Sequence, residues 1–432
     1  MRVISADWVV PVEGAPVREG AVAIGDDGRI AAVGDVADLG GGERFADAVI
    51  LPGFVNAHSH LEYAMYAGFG DGLHFTRWIG VHMERKGRID LDEADAIARY
   101  GAVECLRSGV TTIGDCSFSG SAANACAELG LRAIVYLEVF GRDESSLRER
   151  FEPTRDRVAD AFDERVRPGI SPHAPYSCSM DLYRSSADLG LPLATHLAES
   201  EAENVWLRDG TGPWRAHAEI LVPPIGTTGV RALADAGVLG EHLLAAHCVH
   251  VDAEEIALLS AHDVAVAHCP RSNALLGCGV APLTAMREAG IRVCIATDSP
   301  ASTPSFDMFD EMRAAIAGAR ARERRPDALT AADALELSTL GGARALGLED
   351  ETGSLVAGKH ADLTVVSLAE SPFIPWEDPV TAAVLGGSPD RVLATLVSGE
   401  TRYERGGETW PELIDAARNA RGRLLSHGVQ TS

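Results

Sequence analysis

The chain is nearly without lysine: among 38 basic residues in 432, only Lys86 and Lys359 are lysines. Acidic residues number 63, the formal charge is −25, and a phosphate backbone or an anionic membrane surface would repel such a protein. Neither nucleic acid nor a membrane is expected as a partner. No run of eighteen apolar residues is present, and Met1-Arg2-Val3-Ile4-Ser5-Ala6-Asp7-Trp8 lacks a charged segment followed by an apolar one. A cytoplasmic protein is expected. The eight cysteines include no CxxC pair, and their positions inside apolar runs suit buried, reduced thiols better than bridges or a thiolate zinc site. The missing PCxxC signature also excludes the zinc centre of the cytidine deaminases.

What is present is a change of texture along the chain. Residues 1 to about 50 run in short apolar pieces (8–12, 21–24, 30–33) separated by Gly25-Asp26-Asp27-Gly28 and Gly40-Gly41-Gly42, the pattern of antiparallel hairpins. The same texture returns at 361–366 and 392–397, which predicts one small β-sandwich built from both termini, residues 1–51 with 352–410. Over 52–351, short apolar strands alternate with helix-period segments. Eight strands are expected, at 49–58, 110–115, 132–138, 166–172, 193–197, 243–249, 264–269 and 291–297, the number that closes an α/β (β/α)8 TIM barrel. Helices are expected at 92–108 and 144–163. Thr330 with Asp333 caps a last barrel helix ending near Gly347, and 411–432 read as a terminal amphipathic helix.

In such a barrel, functional groups sit at the C-terminal ends of the strands. The first strand closes on His58-Ser59-His60, and alternate residues of a strand share a face, so the two imidazoles converge. Two histidines begin a metal site without completing it, since a catalytic zinc takes three protein ligands and a water. The other strand ends carry His173, His196 with Glu199 three residues later, His247, His268 and Asp298. A lone histidine ending a strand is ordinarily a hydrogen-bonded core residue, and His268, within Ala265-Val266-Ala267-His268-Cys269-Pro270, carries that reading at least as readily as a functional one. For Glu199 the competing reading is a solvated charge at the start of a helix shared with Glu201 and Glu203. His74, His82, His217, His242, His250, His262, His360 and His427 have no placement that favours function.

Taken together, Pro52-Gly53-Phe54-Val55-Asn56-Ala57-His58-Ser59-His60, Gly109-Val110-Thr111-Thr112, His196-Leu197-Ala198-Glu199, His247-Cys248-Val249-His250, Ala296-Thr297-Asp298-Ser299 and Gly353-Ser354-Leu355-Val356-Ala357-Gly358-Lys359-His360-Ala361-Asp362 resemble the amidohydrolase superfamily of metal-dependent hydrolases. The resemblance implies a distorted barrel, one divalent metal ion held by His58, His60, His196 and Asp298, and a homodimer. Binuclear members bridge two metals with a carboxylated lysine on strand 4. Neither Lys86 nor Lys359 ends a barrel strand, so a single metal is expected, with ligands that suit Zn2+ and would accept Fe2+ or Mn2+. Metal-bound water has a pKa lowered to about 7. In this scheme Glu199 protonates the ring nitrogen of the substrate, while His247 and Asp298 orient the water, take its proton and pass it to the departing ammonia.

Glu199 three residues after the strand-5 histidine, with Pro172-His173-Ala174-Pro175-Tyr176 on strand 4, looks like the aminohydrolase branch that deaminates adenine-type rings. The strand-4 histidine of that branch contacts substrate, a role carried onto His173. The strand-7 stretch, Cys269-Pro270-Arg271-Ser272-Asn273, combined with Thr297-Asp298-Ser299-Pro300-Ala301-Ser302 and Asp310-Glu311-Met312-Arg313, is similar to 6-amino-6-deoxyfutalosine deaminases of the alternative menaquinone pathway. Deamination of that purine nucleoside is the favoured expectation. The alternatives are deamination of S-adenosylhomocysteine, methylthioadenosine or adenosine, and a triazine hydrolase. Arg271 is expected to pair with the benzoate of the favoured substrate, Trp78 to stack on the base and Glu84 to bind the ribose hydroxyls. A catalytically dead paralogue would lack one or more site residues, and none is missing.

Overall fold

A computed structural model of the protein describes residues 1–407 and 410–426. Its strands are β1 (Arg2–Val9), β2 (Val17–Ile24), β3 (Ile30–Asp35), β4 (Glu43–Pro52), β5 (Phe54–Ser59), β6 (Val110–Ser117), β7 (Arg132–Val139), β8 (Val166–Pro172), β9 (Leu193–Leu197), β10 (Leu243–His247), β11 (Ala265–His268), β12 (Arg292–Ile295), β13 (Leu363–Ser367), β14 (Val392–Val397) and β15 (Glu400–Glu404). They form two sheets. The eight strands β5 to β12 lie side by side in sequence order and parallel, and the termini build a seven-stranded sheet of order β15-β14-β13-β4-β1-β2-β3.

The barrel closes where β5 meets the end of β12. The Asp298 N–H donates to the His58 carbonyl at 3.0 Å, and the Thr297 N–H donates to Asn56 Oδ1 at 2.9 Å. Small buried side chains fill the interior, among them Ala57, Ala194, Ala265, Ala267 and Ala296 around Tyr136 and Leu244, leaving space at the rim. The terminal sheet has its own core, Ile4, Val22, Ile50, Leu363 and Val365 among others.

The apolar run 49–58 is not one strand, as expected, but parts of two. Val49 to Pro52 pair antiparallel with β13, and Phe54 begins the barrel strand. Gly53 is the junction: a Cβ there would stand 2.2 Å from the Thr111 side chain, so the chain passes from sheet to barrel only where no side chain exists.

Helix Leu91–Arg107 starts at Asp90 with a reciprocal bond to Glu93, close to the expected 92–108. The expected helix 144–163 is broken into a π-helical turn Leu147–Phe151, a helix Glu152–Arg157 and a short turn Ala159–Ala161; Pro153, with no N–H for the ladder, stands in the first turn of the middle piece. Thr330 and Asp333 cap a helix as expected, but it ends at Leu337 and a second helix, Leu340–Leu346, follows. The intervening Ser338 carbonyl accepts the Val55 N–H at 2.9 Å, tying this break to the first barrel strand. The terminal helix spans Pro411–Leu425; the rest of the expected 411–432 segment, His427 included, lies outside the described residues. Among those described, no helix is long and apolar enough to cross a membrane.

Candidate active site and metal centre

Five side chains converge inside the barrel mouth. His58 and His60 come from the end of β5, His196 from β9, His247 from β10 and Asp298 from the turn after β12. One nitrogen or oxygen each of His58, His196, His247 and Asp298 lies within 4.8 Å of the others. His60 Nε2 stands 3.2 Å from His196 Nε2 and 3.4 Å from Asp298 Oδ1. Ala198, His247 and Asp298 hold positive φ of 50°, 72° and 60°, strained for residues with a Cβ and kept only where the surroundings over-determine them.

The outward nitrogen of each ring fixes its tautomer. His60 Nδ1–H donates to the Cys116 carbonyl at 2.9 Å, and His196 Nδ1–H to the His173 carbonyl at 2.8 Å. Both Nε2 atoms therefore present bare lone pairs to each other. Burial pushes the His60 imidazole down to about 3, so no proton bridges them. His247 Nδ1–H donates to Asn273 Oδ1 at 2.9 Å, and the buried Nε2 atoms of His58 and His247 have no hydrogen-bond partner. The inward lone pairs of His60, His196 and His247 beside a carboxylate repel one another unless a cation sits among them, so this donor set, with the unpartnered His58 Nε2, fits a divalent metal. Asp298 is oriented as a ligand would be. The Ser272 and Ser302 hydroxyls donate to its Oδ2 at 2.6 and 2.8 Å, leaving Oδ1 toward the histidines. Burial alone would raise this carboxyl, but its neighbours, the Ser272 hydroxyl among them, outweigh it and hold it below the usual range. A second grouping, Glu138 with His173 and His196, shares His196. That ring has one lone pair to give, so the two groups cannot each hold a metal through it.

Glu199 faces the same space, its Oε1 3.8 Å from His247 Nε2. Burial, then Asp298 and Glu203, push its carboxyl well above the ordinary range. Glu203 is not a solvated helix charge. Fully buried, it accepts the Ala198 and Glu199 N–H groups at 2.9 and 3.1 Å and so sets the strained turn that aims Glu199.

A cavity of about 560 Å3 opens from this rim, lined by Phe75, Trp78, Phe118, Tyr176 and Trp214 together with His173, Lys86, Glu138 and Arg150. Trp78 and His173 are thus brought to the pocket with the metal-type residues. Glu84 and Arg271 are not. Trp78, His82 and Lys86 share one face of helix Phe75–Lys86 at four-residue spacing, whereas Glu84 is turned away, exposed, and paired with Arg88. The Arg271 guanidinium is consumed elsewhere: Nε bonds Glu311 Oε1 at 2.5 Å and Nη2 bonds the Ser305 carbonyl at 2.7 Å. Its expected contact with a substrate carboxylate is corrected on that ground. His268 is buried off the pocket wall.

The amidohydrolase family profile matches residues 49–402. The chain belongs to the amidohydrolase family. This amidohydrolase is therefore a hydrolase of carbon–nitrogen bonds. It is 34% identical over 413 residues to a 5-methylthioadenosine/S-adenosylhomocysteine deaminase of Moorella thermoacetica, covering 92% of this chain and 93% of that one. Among solved structures it is similar to an adenosine deaminase from Xanthomonas campestris with bound zinc, with a TM-score of 0.87, 28% identity and 98% of each chain covered. It is also similar to a Helicobacter pylori aminofutalosine deaminase in complex with methylthio-coformycin, with a TM-score of 0.80, 25% identity, and 93% of this chain and all of that one covered.

Proposed function

We propose that this amidohydrolase removes the 6-amino group of an adenine-type nucleoside by hydrolysis, with one zinc ion held by His58, His60, His196 and Asp298. The observation that carries the reading is Glu199, a buried carboxyl 3.8 Å from His247 Nε2 whose hold on its proton is strengthened by burial. A metal ion held by these residues would acidify water and so make hydroxide available near neutral pH. Glu199 donates its proton to the ring nitrogen beside the amino-bearing carbon, which makes that carbon electrophilic. His247 Nε2, bare and unpartnered, accepts a proton from the attacking water. The aromatic walls hold the purine and exclude bulk solvent, and His173, its Nδ1 paired with Ser177 Oγ at 2.9 Å, presents its other nitrogen to the pocket. Water adds, ammonia leaves, and a ring carbonyl replaces the amine.

The favoured substrate is 6-amino-6-deoxyfutalosine. Supporting it are the similarity to an aminofutalosine deaminase and Arg150. This guanidinium on the pocket wall lies over the Phe118 ring at 3.7 Å and has no carboxylate within ion-pair distance among the described residues. The second reading, deamination of S-adenosylhomocysteine or methylthioadenosine, is favoured by the similarity to the Moorella enzyme. Ammonia release by zinc-loaded protein on aminodeoxyfutalosine, S-adenosylhomocysteine, methylthioadenosine, adenosine and melamine tests both. Aminodeoxyfutalosine is expected to lead in kcat/KM. A lead by S-adenosylhomocysteine moves the assignment to the second reading, and ammonia from melamine alone sinks both.

A further inference from the structure

Three carboxylates face the pocket: Glu199, Asp298 and Glu138. The first two belong to the reacting end. Glu138 is the penultimate residue of β7, is 3% exposed, and its carboxylate has no hydrogen-bond partner among the described residues. A buried carboxylate left in that state is unfavourable unless something that enters the pocket donates to it. Its nearest counter-charge, Lys86 Nζ, stops 3.9 Å short. The ammonium is held there by the Tyr63 hydroxyl at 2.9 Å and by the Phe118 face at 3.2 Å. The strand end is held too, because Arg150 Nε–H donates to the Glu138 carbonyl at 3.1 Å.

We propose that Glu138 and Lys86 form the subsite for the vicinal hydroxyls of the nucleoside's ribose, the role expected of Glu84 from the sequence. A hydroxyl oxygen about 2.8 Å from each group spans the 3.9 Å gap, donating its proton to the carboxylate and accepting from the ammonium. The second carboxylate oxygen takes the neighbouring hydroxyl, giving a charge-assisted bidentate contact. An anion fits less well, because one placed on Lys86 would lie against the charge of Glu138. The subsite abuts the reacting end, since ligand-type atoms of Glu138, His173 and His196 lie within 4.8 Å of one another.

The proposal rests on the nucleoside deaminase reading, and the test separates the two. Glu138→Gln and Lys86→Met are each compared with the unmutated protein on adenosine and on dideoxyadenosine, which lacks both hydroxyls, with zinc content and melting temperature as controls for folding. Loss of a charge-assisted hydrogen bond is expected to lower kcat/KM for adenosine about ten- to hundredfold while leaving that for dideoxyadenosine within about threefold. Equal losses on both nucleosides, or an unmutated protein that does not distinguish them, overturn the subsite. If the unmutated protein releases ammonia from neither of these nor from any other nucleoside of the panel, the deaminase reading fails. Calorimetric titration with inosine and dideoxyinosine then reads the same hydroxyl preference without turnover, and its absence overturns the subsite as well.

Discussion

A solvated glutamate gives up its proton well below neutral pH, whereas burial, then Asp298 and Glu203, push the Glu199 carboxyl well above that range. The sign of the pH dependence follows. The proton-donating form is the active one, so kcat/KM falls on the alkaline side as pH rises through the raised pKa. Glu199→Gln is expected to lower kcat by about 10²- to 10⁴-fold with zinc content unchanged, and to flatten that alkaline limb in a pH–rate profile. Arg271 behaves differently because its partner Glu311 is fully buried. Arg271→Ala leaves that carboxylate alone, so a loss of about 3–5 kcal/mol in denaturant unfolding is expected. Its loss of kcat/KM should be equal for carboxylate-bearing and neutral nucleosides.

Helix Pro270–Leu275 turns two consecutive side chains to two reacting groups: Ser272 to Asp298 and Asn273 to His247. Arg271, just before them, anchors the helix to Glu311. Asn273 fixes which nitrogen of His247 is bare, and a partner of this kind is worth about 10- to 100-fold. Asn273→Ala is therefore expected to lower kcat by that factor with little change in KM, read from steady-state ammonia release. The strand ends that carry His58, His60, His173, His196, His247 and Asp298 were legible in the sequence, because buried parallel strands are apolar runs and their last residues must face the barrel mouth. Glu138 lies one residue short of such a strand's end, yet a carboxylate there reads as an ordinary boundary charge until Lys86 stands beside it. Lys86 arrives from a helix whose pocket face shows only as the spacing of Trp78, His82 and Lys86. The misplacement of Arg271 and Glu84 has one cause: sequence displays a charge but not its partner, and Glu311 and Arg88 had already claimed them.

At the scale of the whole molecule, the metal-type residues double as the barrel seam. His58 gives its side chain to the cluster and its carbonyl to the Asp298 N–H, so β5 and the end of β12 meet where the cation fits. Chelation is expected to abolish ammonia release and to lower the melting temperature in the same titration, since a ligand bound only by the folded state stabilises it. One equivalent of zinc should restore both. The two lysines carry a further consequence. Lys359 is engaged with Glu13 and Ser354, and Lys86, its ammonium lowered to about 8 by burial, lies in the pocket. Neither lysine side chain is therefore a freely exposed surface amine. A mild amine-directed label should modify the side chains of this protein sparingly, and a mass increment that disappears when nucleoside is present would make Lys86 a built-in reporter of occupancy.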